Sequence, residues 1–356
     1  FVTAERRRQL GNEVIVIDPF HLTTDEPDTL NPFDLLPHTD MSVEEFGLMF
    51  PSLLHPDQDL SSHREPFWDL RADDLIAGTT ACILGAMDED DHHIAKLRST
   101  LKSDDVTYNL AVLLDTKGSE MSKLAYENLS AFVQTEERCR SGILATAQQH
   151  FSIYADPKVE TSLTSTSFDM QAFQEGAPMT IYLVLPSSRL YSHRAMLRIW
   201  MSSLIALMKS RKTRPELQTL FLVDEAAQLG RMNSLIECVT LLRGYGVRTW
   251  TFWQSLNQLK KTYGLDADVI IDNCGVVQMF GITNFGMARS LGSFLGEHDS
   301  PRDLLSLDRR DQIILRPGGI SDRVQKLDYL KDSMYRGKYR KNPYHAKRSA
   351  ASTRSR

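Results

Sequence analysis

The chain has 356 residues, 42% hydrophobic and 24% charged, which suits one large α/β domain with a smaller second unit and excludes collagen-like, wholly disordered and disulfide-stapled classes. Four cysteines (Cys82, Cys139, Cys238, Cys274) lie far apart without C-x-x-C spacing, so neither a zinc ribbon nor a redox pair is written, and reduced thiols in cytoplasm are expected. The formal charge is 41 − 46 = −5, yet residues 336–356 carry eight Lys/Arg and no acid, leaving 33 − 46 = −13 on the rest.

That basic end, rich in Ser, Ala and Arg, reads as a disordered arm for a polyanion or acidic surface, or else as a solvated end that binds nothing in particular. The longest mostly apolar stretch, residues 75–87, is broken by Gly78, Thr79 and Thr80 and is too short to cross a bilayer, so the chain as given is expected to be soluble. It opens with Phe1 and lacks a charged-then-apolar signal segment, which predicts further protein upstream of it.

In chain order, residues 2–10 form a charged helix stopping at Gly11, and "EVIVID" (13–18) is a short buried strand ended by Pro19. Residues 21–59, with Pro27, Pro32, Pro37, Pro51 and Pro56, read as a long connection holding one short helix at 43–49. From about Pro66 to Gln149 apolar residues recur at three- and four-residue spacing with no strand between, which predicts an all-helical insertion. Strand-helix alternation then returns. Strands are expected at 180–186, 220–227, 247–255, 275–281 and 311–317, with helices between them near 191–211, 234–243, through Leu259, and at 284–295. Apolar strands alternating with amphipathic helices imply a parallel sheet covered on both faces.

The carboxyl ends of parallel strands form the ligand crevice of such sheets. "LFLVDEAAQ" ends four apolar residues, expected to be buried, with Asp224 and Glu225, a pattern that fits an acid oriented toward Mg²⁺ followed by one that polarises an attacking water. Equally, an acid at a strand end can cap the next helix. The following strand finishes in Gln254, thirty positions after Asp224; an uncharged amide beside a γ-phosphate can sense it and hold the water, as in RecA-like ATPases. Between them, in "LLRGYGVR", Arg243 precedes a glycine-flanked loop from which it could reach the nucleotide of a neighbouring subunit, or merely offset a helix C-terminal dipole. None of the nineteen glycines starts G-x-x-x-x-G-K-[ST], so the phosphate cradle either lies upstream of Phe1 or is missing from a degenerate ATPase.

Four stretches together carry a resemblance: residues 14–36 ("VIVIDPF…TLNPFDLL"), 164–186 ("TSTSFDMQAFQEGAPMTIYLVLP"), 220–232 ("LFLVDEAAQLGRM") and 246–281 ("GVRTWTFWQSLNQLKKTYG…IIDNCGVVQMFG"). In combination and order they resemble the type IV coupling proteins, the TraG/TraD-like ATPases of conjugation and type IV secretion. The resemblance reaches to about Lys331. It implies an α/β fold, a RecA-like P-loop NTPase parallel sheet with an inserted all-helical domain, whose membrane helices and Walker A strand precede Phe1. Residues 1–60 would then be the first part of the nucleotide-binding domain, 61–150 the helical insertion, 151–331 the remainder and 332–356 a basic tail. It implies ATP and Mg²⁺ as cofactors, with Glu225, Gln254 and Arg243 catalytic, Asp224 binding Mg²⁺, Pro317 and Gly318 near the nucleotide base, and Asn273 near a subunit interface. The implied partners are DNA, relaxase or secreted proteins, secretion-channel components and further copies in a hexamer at the cytoplasmic face of a bacterial inner membrane. Without a Walker A element this chain alone would be inactive.

Residues 61–150 hold nine Lys/Arg against fifteen Asp/Glu, which disfavours direct DNA binding there and suits a basic partner such as a relaxase. "DEDDHH" (88–93) reads as a solvated turn, "WTFW" (250–253) as core rings on a buried strand, and "RPGGISDR" (316–323) as a turn after the last strand. Two rivals stand beside the coupling protein: a HerA/FtsK-type DNA translocase and a non-hydrolysing substrate receptor.

Overall fold

The computed structural model describes residues 2–54, 67–295, 300–340 and 342. The chain divides into two compact units, a larger one of residues 16–177 and 183–275 and a smaller one of residues 1–15, 178–182 and 276–356. Most of the basic tail lies outside the described residues, as does the expected boundary at residue 61.

The chain begins with α1 (Ala4–Gln9) and β1 (Glu13–Ile17). After a 3₁₀ turn capped by Asn31, α2 extends over Val43–Leu54, five residues beyond the short helix expected there. Five helices then follow without an intervening strand: α3 (Phe67–Ala86), α4 (Ile94–Leu101), α5 (Val106–Lys117), α6 (Lys123–Gln134) and α7 (Glu137–His150). Side-chain caps from His93, Asp105 and Ser122 start α4, α5 and α6 by accepting otherwise orphaned backbone N–H groups. The long apolar run read from the sequence is the carboxyl-terminal part of α3, buried on nearly every side because α2, α6 and α7 all pack on the helix. Its small residues permit this: a Cβ on Gly78 would lie 2.6 Å from Asn128 Cβ on α6.

Alternation resumes after α8 (Pro157–Thr161) and α9 (Met170–Glu175), with β2 (Met179–Leu183), α10 (Arg194–Lys209), β3 (Thr219–Val223), α11 (Asn233–Thr240), β4 (Val247–Thr251), α12 (Leu256–Tyr263) and α13 (Asp266–Asp272). The chain continues through β5 (Val277–Met279), α14 (Phe285–Phe294), α15 (Pro301–Leu305), β6 (Asp311–Arg316) and β7 (Ile320–Gln325). β1 pairs with β2; the backbone bonds Glu13 N to Pro178 O and Val184 N to Ile17 O advance together along both strands, so the pair is parallel. β3 and β4 are parallel from Thr219↔Val247 to Val223↔Thr251.

Three expectations are corrected. β5 and β6 do not extend a parallel sheet but pair antiparallel with each other, and β7 pairs antiparallel with β6. The segment expected to be a turn after the last strand is therefore a hairpin, reversing through Pro317, Gly318 and Gly319, with φ of 87° at Gly318 and 75° at Gly319, values other residues resist. The third correction concerns burial. Phe221 and Val223 of β3 are in the core, but Leu220 and Leu222 point the other way and are 52% and 57% exposed. Trp250 beside Leu222 is 48% exposed and stacks on Phe252 at 5.2 Å. Alternation along a strand sends neighbours to opposite faces, and among the described residues only one face of this parallel pair is covered.

This asymmetry predicts unequal tryptophans. Trp200 of α10 is fully buried, so Trp200→Ala should lower the unfolding free energy by about 3–5 kcal/mol, whereas Trp250→Ala should change it by about 1 kcal/mol or less. Equal losses in urea titrations would mean that the β3–β4 face is not open. Thiol chemistry gives a second check. Burial pushes Cys238 up to about 12 and Cys82 up to about 11 and also raises Cys274, while Cys139 is partly exposed. At pH 8 the three raised thiols are protonated and unreactive, so alkylation followed by mass spectrometry should label Cys139 first and Cys82 and Cys238 only on unfolding.

Candidate nucleotide site at the carboxyl end of the β3–β4 pair

The ladder between β3 and β4 continues past their formal ends: Phe252 N donates to Val223 O at 2.9 Å and Ala226 N to Phe252 O at 3.1 Å. The two residues between these bonds, Asp224 and Glu225, therefore leave the strand at a fixed point. Glu225 sits in the left-handed region, φ 50° and ψ 46°, an arrangement costing a non-glycine residue about 1–3 kcal/mol. Its N–H donates to Asp224 Oδ1 at 3.0 Å, closing a tight local turn. The turn brings the Glu225 side chain to the neighbouring strand end, where Gln254 Nε2 donates to Glu225 Oε2 at 3.0 Å. Asp224, Glu225 and Gln254 are all exposed, so a ligand can meet them without rearranging the core.

Gln254 is fixed from behind. Its backbone N–H donates to Gln258 Oε1 at 2.9 Å, and Ser255 caps α12 by accepting from Gln258 N at 3.2 Å. The S-x-x-Q capping pattern after the strand is the sequence signal for Gln258. Arg231, which no motif marks, donates to Tyr263 O at 3.0 Å and pairs with Asp266, tying the loop after Glu225 to α12 and α13.

Arg243 lies elsewhere. It belongs to a 3₁₀ turn, Leu242–Tyr245, which precedes β4 and so stands at the amino end of the strand pair. Five residues of strand span about 16 Å, so Arg243 is on the opposite edge from Glu225 and Gln254. It is exposed, and its guanidinium reaches Asn273 O at 3.5 Å, which brings two of the sequence candidates together. Pro317 and Gly318 form the β6–β7 reversal in the smaller unit, where positive φ accounts for the glycines. In the 88–93 segment, Asp91 pairs with Lys96 at 2.8 Å, His93 caps α4, and His92 Nε2 lies 3.2 Å from Met87 O.

Parallel strand pairs with acidic and amide residues at one carboxyl edge, beside a run of helices inserted into the alternation, belong to an α/β chain whose fold, RecA-like with an inserted all-helical domain, is that of solved coupling-protein structures. The fold is shared with solved coupling-protein structures at 14% identity: TrwBdeltaN70 in its unbound monoclinic form (TM-score 0.67, covering 88% of this chain and 72% of that one), and TrwB in complex with ADP and Mg²⁺ (TM-score 0.68, 90% and 76%). The family model for type IV secretory system conjugative DNA transfer matches residues 1–298, and the chain belongs to that family. Among curated relatives, the conjugal transfer protein TraG of Agrobacterium fabrum strain C58 is 26% identical over 266 residues, 74% of this chain and 40% of TraG. The type IV secretion system-coupling protein VirD4 of Bartonella quintana is 25% identical over 304 residues, 82% of this chain and 46% of VirD4. The chain thus spans less than half the length of these relatives. No helix among the described residues is long and apolar enough to cross a membrane.

The strained φ at Glu225 can be tested directly. Glu225→Gly should be more stable than Glu225→Ala by about 1 kcal/mol, because only glycine adopts this backbone without strain. Equal denaturation midpoints for the two variants would rule out the left-handed turn.

Proposed function

We propose that the chain is the ATPase portion of a coupling protein that recruits DNA, bound to a relaxase, or protein substrates and drives their transfer to a type IV secretion channel. The observation that carries this reading is the Glu225–Gln254 hydrogen bond of 3.0 Å at the edge where Asp224 emerges, together with membership of the DNA-transfer family. The match to the DNA-transfer family favours the coupling protein over the HerA/FtsK alternative, and a non-hydrolysing receptor would not need this pair.

In the proposed mechanism Asp224 contributes to Mg²⁺ binding. One of its oxygens is held by the Glu225 N–H, and the other is available to the ion; Mg²⁺ commonly takes one or two carboxylates, with waters and substrate phosphates filling its remaining positions. The residues present fit that habit, and bound Mg²⁺ would neutralise charge on the phosphates of ATP. Glu225 polarises the attacking water, and Gln254, already within hydrogen-bond distance of Glu225, registers whether a γ-phosphate is present. Arg243, on the far edge of the strand pair, serves the nucleotide of a neighbouring copy, which requires a ring, by family resemblance a hexamer. The chain contains no G-x-x-x-x-G-K-[ST] phosphate cradle, so by itself it should not turn over ATP. The acidic balance of residues 61–150 suits recruitment of a basic cargo protein by the helical insertion.

The test is steady-state ATP hydrolysis by the full-length protein. Glu225→Gln should lower kcat by roughly 10²–10⁴-fold with little change in nucleotide affinity. An unchanged rate would remove Glu225 from the mechanism.

A further inference from the structure

The sequence of α10 is apolar except at Arg194, Arg198, two serines and its final Lys209. Arg198 lies in the middle of the buried run and is only 1% exposed. Its guanidinium donates to Leu229 O at 3.0 Å, to Arg231 O at 2.9 Å and to Ser52 O at 3.3 Å. The first two acceptors belong to the segment that begins at Glu225 and runs through the 3₁₀ turn Ala226–Leu229.

Thirteen residues later, just past the end of the helix, Arg211 is 6% exposed and makes a second set of such contacts. Its Nη1 donates to Tyr245 O at 2.9 Å, in the turn that carries Arg243. Its Nη2 donates to Thr219 Oγ1 at 2.7 Å, the first residue of β3, and its Nε to Gln174 O at 2.6 Å. The turn is further defined by Gly246, with φ 75° and a would-be Cβ 3.2 Å from Pro215 Cδ.

A helical rise of 1.5 Å per residue separates the two arginines by about 20 Å, close to the length of the β3–β4 pair. The helix therefore reaches both edges: Arg198 at the edge of the acid, Arg211 at the edge of Arg243. Burying a guanidinium group is costly unless its donors meet acceptors, and the Nη donors of Arg198 and the Nε and Nη donors of Arg211 are directed mostly at backbone carbonyls. A planar fork aimed at carbonyls fixes loop position, which a point charge on a flexible stem does less well.

Resting on the proposed reading that Glu225 acts within its own copy and Arg243 on the next, we propose that Arg198 and Arg211 are positioning residues for opposite halves of one shared site. Arg198 sets the Asp224–Glu225 loop and Arg211 sets the Arg243 loop, and α10 holds the two at fixed separation.

Co-expressing pairs of full-length variants and measuring ATP hydrolysis by the mixed rings tests this. The reference pair is Glu225→Gln with Arg243→Ala: each alone is inactive, but together they create contacts in which an intact acid faces an intact arginine. Random mixing should restore about a quarter of the wild-type rate, since one heterologous contact in four is then complete. Arg211→Lys and Arg198→Lys, which keep the charge and the stem, should each lower the rate at least tenfold alone.

Arg211→Lys should be rescued by Glu225→Gln but not by Arg243→Ala. Arg198→Lys should be rescued by Arg243→Ala but not by Glu225→Gln. A Lys variant rescued by both partners, by neither, or by the wrong one overturns its assignment; rescue by neither is also the result for a residue needed only for folding. Failure of the reference pair would instead remove the shared-site reading, and this assignment with it.

Discussion

The register between β3 and β4 is the constraint on which the candidate site depends. Parallel strands leave their ladder on the same edge, so pairing Val223 with Thr251 delivers the next residues of both strands to one place. A slip of one residue would send Phe221 and Val223 out of the core and separate Glu225 from Gln254. The backbone bonds at Phe252 and Ala226 extend that control just beyond the strands, and the left-handed turn at Glu225 then directs its carboxylate across to the amide. Local strain at Glu225 is maintained because the backbone on either side of it, at Val223 and Ala226, is hydrogen-bonded to Phe252.

The same geometry explains why Arg243 does not belong to the cluster. Residues before a parallel strand and residues after it occupy opposite edges of the sheet, so an arginine preceding β4 and an acid following β3 are divided by the whole strand length. A site needing both must be completed by another copy. The open face of the pair, with Leu220, Leu222 and Trp250, and the buried face against α11 similarly follow from alternation along the strands and the unequal cover on their two sides.

Much of the architecture was legible because helices and buried strands impose period and length. The helices α3–α7 were marked by three- and four-residue apolar spacing, and the strands by short apolar runs. β7 was not legible: "ISDRVQ" has two apolar residues among six and is mostly exposed, so its identity as a strand comes from backbone bonds to β6, which side-chain pattern does not encode. The direction of β6 was missed for a related reason, since an apolar strand looks the same whether its partner runs parallel or antiparallel. Arg198 and Arg211 carried a faint signal, a charge inside or beside an otherwise apolar helix, but their acceptors are carbonyl groups, which every residue possesses.

The sequence by itself determined which chemical groups are present and near which strand ends they occur: the acids after "LFLV", the amide after "WTFW", and the arginine before "GYG". Only the tertiary structure decided that Glu225 and Gln254 touch, that Arg243 stands on the other edge beside Asn273, and that two buried arginines of one helical segment grip both loops. Those relations depend on strand register, on a single left-handed φ and on backbone acceptors, all of which arise from how distant segments pair rather than from the residue types along any one of them.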